Sequence, residues 1–257
     1  MDFNFTQSIK YWKVVTDCHR GFKNMVRYFN LKKEFSTFSI LSKSNPRFSI
    51  DWKDRYFCYN DNTSETPFDQ HYIYHTAWAA RIIARTNPKE HVDISSSLYF
   101  CSIVSAFVPV KFYDFRPANL NLTNLSSDNA DIIRLPFEDG SIESLSCMHT
   151  VEHIGLGRYG DHLDPDGDLK AMSELCRILM RSGNLLFVVP IGKSKIMFNA
   201  HRIYSYDQIM QYFKKLKLQE FSLISCFEQN SGIIINATKD QADLCDYGCG
   251  CFWFTKE

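Results

Sequence analysis

The run LPFEDGSIESLSCMHTVEHIGLGRYGDHLDPDGDLKAMSELCRILMRSGNLLFVVP, from Leu135 to Pro190, decides the fold. Ser144 to Met148 is a short apolar run that reads as a strand. A polar loop follows, carrying Glu152, His153, Arg158, Asp161 and Asp164. Asp164-Pro165 with Asp166 and Asp168 supplies the cap and acidic first turn of a helix running to Leu179, a simpler reading than a calcium loop, which would need a bidentate glutamate. The segment LLFVV then lacks any polar alternation, as befits a strand covered on both faces. Strand, loop, helix and strand make half of a nucleotide-type α/β domain, and open α/β sheets bind ligands in loops at the carboxyl ends of their strands.

The same alternation extends towards the N-terminus. HVDI, VKFYD, ADII and SLSCM read as strands, with LYFCSIVSAF as an intervening helix. The pattern predicts a doubly wound, mostly parallel sheet with right-handed crossovers. Ahead of it, FDQHYIYHTAWAARIIARTNPKE starts at an Asp69 cap and stops before Pro88, with Tyr72, His75, Trp78, Ala79 and Ile82 on one helical face. Beyond Pro190 we expect a helix over Tyr206 to Leu216, a strand over Leu218 to Ile224, an apolar run from Gly232 to Ala237 and a last strand in CFWFT. The domain boundary falls at 67/68. Residues 1–67 form an N-terminal extension packing on the core, helical over 4–30 with a break near Gly21. The Ser-, Asn- and aromatic-rich stretch from Lys33 onward then reads as loops or short strands.

Composition narrows the function. A chain of 257 residues, 45% hydrophobic, can bury one sizeable core. Lys+Arg and Asp+Glu are both 29, so no net field draws nucleic acid or an anionic membrane, and the expected partner is a small molecule. Nine cysteines, an odd number lying mostly in apolar runs, read as buried free thiols of a reducing, cytoplasmic compartment. The first residues lack an apolar signal core, and Leu98 to Val110 is too short to span a bilayer, so no integral membrane segment is expected. Phe3, Phe5, Tyr11 and Trp12 suit core packing better than membrane contact.

DISSS after the first strand, the aspartate ending VKFYD, ADIIRLPFEDGSIESL, the Glu152-His153 pair and ELCRILMRSGNLLFVVP together resemble class I S-adenosylmethionine-dependent methyltransferases. They are most similar to the branch acting on ubiquinone and other small molecules. More narrowly, EHIGLGRYGD, LDPDGD and FNAHRIYS resemble a domain-of-unknown-function family that is an offshoot of that superfamily. The resemblance runs from about Phe68 to Phe254. It implies an α/β, seven-stranded Rossmann-like sheet and a transferase that uses S-adenosylmethionine on a small polar acceptor, a sugar or nucleotide-sugar of surface polysaccharide biosynthesis. It also implies that Asp93, Ser95 and Ser97 approach the methionine end of the cofactor, that Asp114 accepts from the ribose hydroxyls, and that Asp131 and Leu135 lie by the adenine.

One feature departs from the superfamily pattern: serines stand at 95–97 where a glycine-rich loop is usual, and side chains there would crowd the cofactor. The alternatives are therefore a degenerate, non-catalytic binding module of the same fold, or a sugar-modifying enzyme that uses no methyl donor. Candidate catalytic groups are His153, as first choice of base, with Glu152, His149 and His201, since imidazole titrates near neutral pH. Glu152-His153 would equally serve to fix the loop. Arg158, Arg202 and Asp161 are the candidate substrate-binding residues, the arginines suiting a carboxylate or phosphate. No metal is expected. His71 and His75 are four apart on a helix, and Cys245, Cys249 and Cys251 cluster near the C-terminus, but neither set has the partners of a recognisable site.

Overall fold

The computed structural model describes residues 24–59, 61–225 and 232–257, which fall into two compact units, Met1–Pro67 and Phe68–Glu257. The aromatics at positions 3, 5, 11 and 12 lie outside the described residues, as does the expected break near Gly21.

In the first unit a helix, α1, is described over residues 24–41. It continues through the stretch expected to be loop or strand. Its partly buried positions, Tyr28, Leu31, Phe35 and Ser39, recur every three or four residues and define one face. The hydroxyls of Ser36, Thr37, Ser39 and Ser42 donate to carbonyls four residues earlier at 2.8–3.1 Å. A serine-rich sequence can thus remain helical by returning its polar groups to the helix backbone. Tyr28, Phe35, Trp52 and Phe57 form edge-on and tilted ring contacts at 5.0–6.0 Å within this unit.

The second unit is an α/β layer structure. Its elements are α2 (Gln70–Thr86), β1 (His91–Ile94), α3 (Leu98–Val104), β2 (Val110–Asp114), β3 (Leu125–Asn129), β4 (Ile142–Met148), α4 (Gly167–Ile178), β5 (Leu179–Ile191), β6 (Lys195–Met197), β7 (His201–Ile203), α5 (Tyr206–Tyr212), β8 (Leu216–Ile224), β9 (Ile233–Ile234), α6 (Lys239–Asp243) and β10 (Gly248–Lys256). The sheet order is β3-β2-β1-β4-β5-β10-β8-β9, parallel from β3 to β5 and antiparallel through β10, β8 and β9. Seven strands carry the sheet as expected, and the two-residue β9 adds an eighth at the edge. β6 and β7 form a separate hairpin.

Strand alternation divides the core between two faces. Leu185, Phe187, Val189 and Ile191 of β5 join α4, α5 and α6 on one side, whereas Leu186 and Val188 join α2 and α3 on the other. This is why LLFVV reads as apolar throughout. α2 begins at Asp69, whose carboxylate accepts from Tyr72 N at 3.1 Å, and it buries His75, Trp78, Ala79, Ile82 and Ile83.

Two local expectations are corrected. The third strand is LSSDN, not ADII. As the edge strand it is paired on one side only, by β2, and its mostly exposed residues carry no apolar signature. ADII instead makes a turn, with Asp131 accepting from Ile133 N at 3.1 Å while Ala130 and Ile132 point into the core. Asp166 occupies the N-cap of α4 without a side-chain cap bond. Asp164 makes the local bonds instead, accepting from Asp166 N at 3.1 Å and pairing with Lys170 at 2.6 Å. Every cysteine among the described residues is a free thiol, and none of the described helices is long and apolar enough to cross a membrane.

Candidate functional site

The carboxyl ends of β1, β2 and β4 open onto two adjoining cavities. One, of about 300 Å³, lies beyond β2 and β3, with Asp114 and Asp131 at its edge and Phe115, Ala130, Ile132 and Ile133 as apolar wall. The other, of about 420 Å³, is polar and is lined by His71, Tyr72, Glu152, Arg158, His201 and Tyr247 among others. Ser95, His149, His153 and Tyr159 line both, so the cavities meet there.

The serine loop sits at this junction. Ser95 has φ +57°, a left-handed backbone that glycine adopts without strain and serine rarely does. Its backbone N–H and hydroxyl both donate to Tyr113 O, at 2.8 and 3.2 Å. Ser96 N donates to Asp93 Oδ1 at 2.9 Å, and Ser96 Oγ accepts from Met148 N at 3.0 Å. Both hydroxyls therefore bond to the protein's own backbone, and the apolar cavity stays open beside them.

Beneath the loop runs a buried chain of hydrogen bonds. The β1–β4 register sets Asp93 opposite Ser146, so the polar side chains of the two strands share one face. The ring nitrogens of His91 bond Ser144 Oγ and Ser146 Oγ, each at 2.8 Å, and Ser146 donates to Asp93. Burial lowers His91 to about 3 and raises Asp93 to about 6.

The polar cavity brings together histidines from four segments. His149, at the end of β4 with φ +55°, donates from Nδ1 to Glu152 Oε1 at 2.9 Å, leaving Nε2 bare and 3.4 Å from Cys249 Sγ on β10. His153 donates from Nδ1 to Ala200 O at 2.7 Å, which leaves its Nε2 as an acceptor 3.8 Å from Glu152 Oε1. Arg158 also donates to Ala200 O, at 3.1 Å, and its guanidinium lies 5.0 Å from the Tyr159 ring centre. His71, in the first turn of α2, stacks on His149 with ring centres 5.7 Å apart. Burial, then the neighbouring His149, lowers His71 to about 4. His201 is lowered by burial.

The loop carrying these groups has a defined framework. Asp161 accepts from Gly155 N at 2.7 Å, Gly157 N at 3.3 Å and Tyr159 N at 3.2 Å. Gly155 has φ +79°, and a Cβ there would lie 2.0 Å from Asp164 O. Arg202 donates to Ile154 O at 2.6 Å and Pro165 O at 3.2 Å and faces Asp168 at 3.6 Å.

Several expected site residues therefore stand elsewhere. Arg202 is buried and committed to the loop backbone. It sits on β7, so it faces opposite to His201, which does line the polar cavity. Asp161 borders the apolar cavity, but its carboxylate closes the loop. Asp93 is fully buried behind the serines and supports them. Leu135 packs in the core, its N–H donating to Glu174 at 2.9 Å. Glu152 is only 1% exposed and orients the two histidines beside it. His149, His153, His201 and Arg158 come together as expected, as do Ser95, Asp114 and Asp131; Ser97 borders the polar cavity. Sequence reasoning missed the contributions of Tyr72, Tyr247 and Cys249. HYIYH and the C-terminal cysteine cluster were visible, but their convergence on β4 was not.

A family model described as a Caenorhabditis protein of unknown function, DUF268, matches residues 138–244. An uncharacterised protein of Methanocaldococcus jannaschii is 29% identical over 97 residues, 37% of this chain; the match spans about a third of that relative, 34% of its length. Among solved structures, a chain of the complex between the Haloferax volcanii Trm112 methyltransferase activator and its candidate methyltransferase aligns at a TM-score of 0.50. It is 19% identical, covering 73% of this chain and 90% of that one. The (4+2)-cyclase SpnF also aligns at 0.50, with 10% identity over 70% and 80% of the two chains. The fold is that of class I S-adenosylmethionine-dependent methyltransferases. Because a protein named as a cyclase shares it, the reaction must be argued from the site.

Proposed function

We propose that the second unit is an S-adenosylmethionine-dependent methyltransferase acting on a hydroxyl of a small polar acceptor such as a sugar or nucleotide-sugar. The observation that carries this reading is the junction itself: an apolar cavity edged by two carboxylates meets a polar one at Ser95, His149 and His153. Asp114 and Asp131 would hold the ribose and adenine side, against Ile132 and Ile133. The Ser95–Ser97 loop would face the methionine side. The residues fit the cofactor because the Ser95 and Ser96 hydroxyls are engaged with Tyr113 O and Met148 N, leaving the path between the cavities clear.

When bound, the cofactor supplies an electrophilic methyl group. The chain's own contribution is to orient the acceptor and remove its proton. His153 Nε2 accepts the hydroxyl proton, because Nδ1–H is held by Ala200 O. The resulting imidazolium lies 3.8 Å from the Glu152 carboxylate, which stabilises it. Arg158 and Tyr247 at the rim supply a charged donor and a ring face for a polar, sugar-like acceptor.

Calorimetric titration of the full chain with S-adenosylmethionine and S-adenosylhomocysteine tests the reading. Saturable one-to-one binding is expected; no binding at millimolar ligand overturns it and leaves the non-catalytic or donor-independent alternatives.

A further inference from the structure

We propose that His71, His149 and Cys249 form a three-ligand site for a zinc-class transition-metal ion, with an open coordination position on the polar cavity. The three come from the first turn of α2, the end of β4 and the start of β10, and their ligand atoms all lie within 4.8 Å of one another. His149 Nε2 and Cys249 Sγ are 3.4 Å apart. Tetrahedral zinc with its usual nitrogen and sulfur bond lengths sets such atoms about 3.5 Å apart, so this edge of the site is already formed. The His71 side closes by a small rotation of an imidazole in a first helical turn.

Two further observations point to a cation. The first is the shell behind His149. Its Nδ1–H is held at 2.9 Å by Glu152 Oε1, which fixes the tautomer with Nε2 bare and aimed at Cys249. A carboxylate holding the far nitrogen of a ligating histidine is the usual outer partner in metal sites. The second is Glu152 itself. The residue is 1% exposed, and its other oxygen, Oε2, is buried without a hydrogen-bond partner. A buried carboxylate with an unsatisfied oxygen is costly unless positive charge lies nearby, and a divalent ion at the next residue shell supplies it.

The donor set selects the ion. Two imidazoles and a thiolate suit zinc and its cobalt surrogate and not magnesium or calcium, which take oxygen ligands. The Cys249 S–H now points its proton towards His149 Nε2. On binding, the sulfur and both ring nitrogens donate lone pairs to the ion, and the thiol proton is released to solvent. Three protein ligands with a fourth position free is the arrangement of catalytic, not structural, zinc. That position opens where Arg158, His153 and Tyr247 wait, so it would take an oxygen of the acceptor. This last step rests on the methyl-transfer reading; the metal site does not.

The test is a titration of the tag-free, chelator-treated full chain with cobalt(II) and then zinc(II), followed by visible and near-ultraviolet absorption. We expect one cobalt per chain, a tetrahedral spectrum with a thiolate charge-transfer band, and displacement by zinc. Cys249→Ser should remove the thiolate band and His71→Gln should weaken cobalt at least about tenfold. Glu152→Gln should weaken it about 10- to 100-fold while keeping the band, and Cys176→Ser on α4 should change nothing. Thermal melts confirm that the variants fold; His71, being partly exposed, remains informative if Cys249→Ser does not fold. Absence of the band in the native chain, or unchanged affinity in His71→Gln, overturns the site. Cobalt binding without S-adenosylhomocysteine binding would sink the methyl-transfer reading alone, and the converse would sink the metal site alone.

Discussion

Asp114→Asn tests the assignment of the apolar cavity through a single charge. Asp114 ends β2, is half-buried, and its Oδ1 accepts a 2.7 Å bond from Arg116 N. Among the described residues no other protein donor reaches this carboxylate, so its second oxygen is available to a ligand. Asparagine keeps an oxygen for Arg116 N and preserves the turn. It replaces the other oxygen by an amide donor and removes the charge. If that oxygen accepts from the ribose hydroxyls, at least one charge-assisted bond worth about 1.5–3 kcal/mol is lost. At 25 °C that is a roughly 10- to 150-fold rise in Kd. Titration calorimetry with S-adenosylhomocysteine reads the change directly, beside a thermal melt that should barely move. Asp114→Ala is the companion variant: it also frees Arg116 N, so it should lose the same affinity and in addition lower the melt. Affinity within about twofold of the native chain in both variants, well below the smallest expected loss, would refute the assignment of Asp114 to the ribose.

Four more outcomes follow from the geometry. Gly155→Ala places a left-handed alanine whose Cβ lies 2.0 Å from Asp164 O, so stability should fall by at least about 2 kcal/mol, or about 4–8 °C in Tm; an unchanged melt would contradict the loop conformation. Arg202→Met leaves the buried Asp168 with the Tyr204 hydroxyl but no countercharge, and takes the donor from Ile154 O and Pro165 O, so it should cost about 3–5 kcal/mol in urea unfolding, whereas Arg158→Met, exposed at the rim, should cost no more than about 1 kcal/mol. Ser95→Gly relieves a left-handed serine and should raise stability by up to about 1 kcal/mol while S-adenosylhomocysteine binding persists; a binding gain would instead show that the side chain obstructs the cavity. His91 is held at about 3 against an ordinary 6.5, so the unfolded chain takes up a proton that the native state refuses, and the stability present above pH 6.5 is lost as pH falls through that window. Asp93, raised to about 6, acts in the opposite sense in both chains, so His91→Gln should lose about 3 kcal/mol less than the native chain between pH 7 and 4; parallel stability curves would contradict this.

What was legible in the sequence was whatever follows from burial and local chain geometry. LLFVV announced a strand covered on two faces because both faces are in fact covered. Asp69 and Pro88 bracketed α2 because caps and ring constraints act locally. LSSDN stayed invisible because an edge strand with exposed side chains needs no apolar pattern, and its pairing to β2 is a long-range fact. α1 beyond Asn30 was obscured by serines that would favour turns had their hydroxyls not bonded to carbonyls one turn back. The site divided in the same way. Residues next to the sheet's carboxyl edge were found because topology places ligands there. The opposite destinations of His201 and Arg202 depended on β7 being a strand, which its flanking sequence concealed.

The serine loop illustrates how the two halves of the site depend on each other. A glycine-rich loop holds its shape through backbone freedom and needs little behind it. Here Ser95 is left-handed despite its side chain, and such a conformation persists only where the surroundings over-determine it. Those surroundings are the Asp93–Ser146–His91 chain below, the Tyr113 carbonyl beside it and Met148 N on the adjacent strand. Met148 is followed at once by His149, itself left-handed, whose ring is fixed by Glu152. The loop facing the apolar cavity and the histidine facing the polar one are thus anchored to the same two strands, β1 and β4. A change in either, such as metal binding at His149, would be felt at Ser96 through a single 3.0 Å hydrogen bond. The chain replaces glycine's freedom with a side-chain scaffold, and in doing so it couples the apolar side of the junction to the polar side.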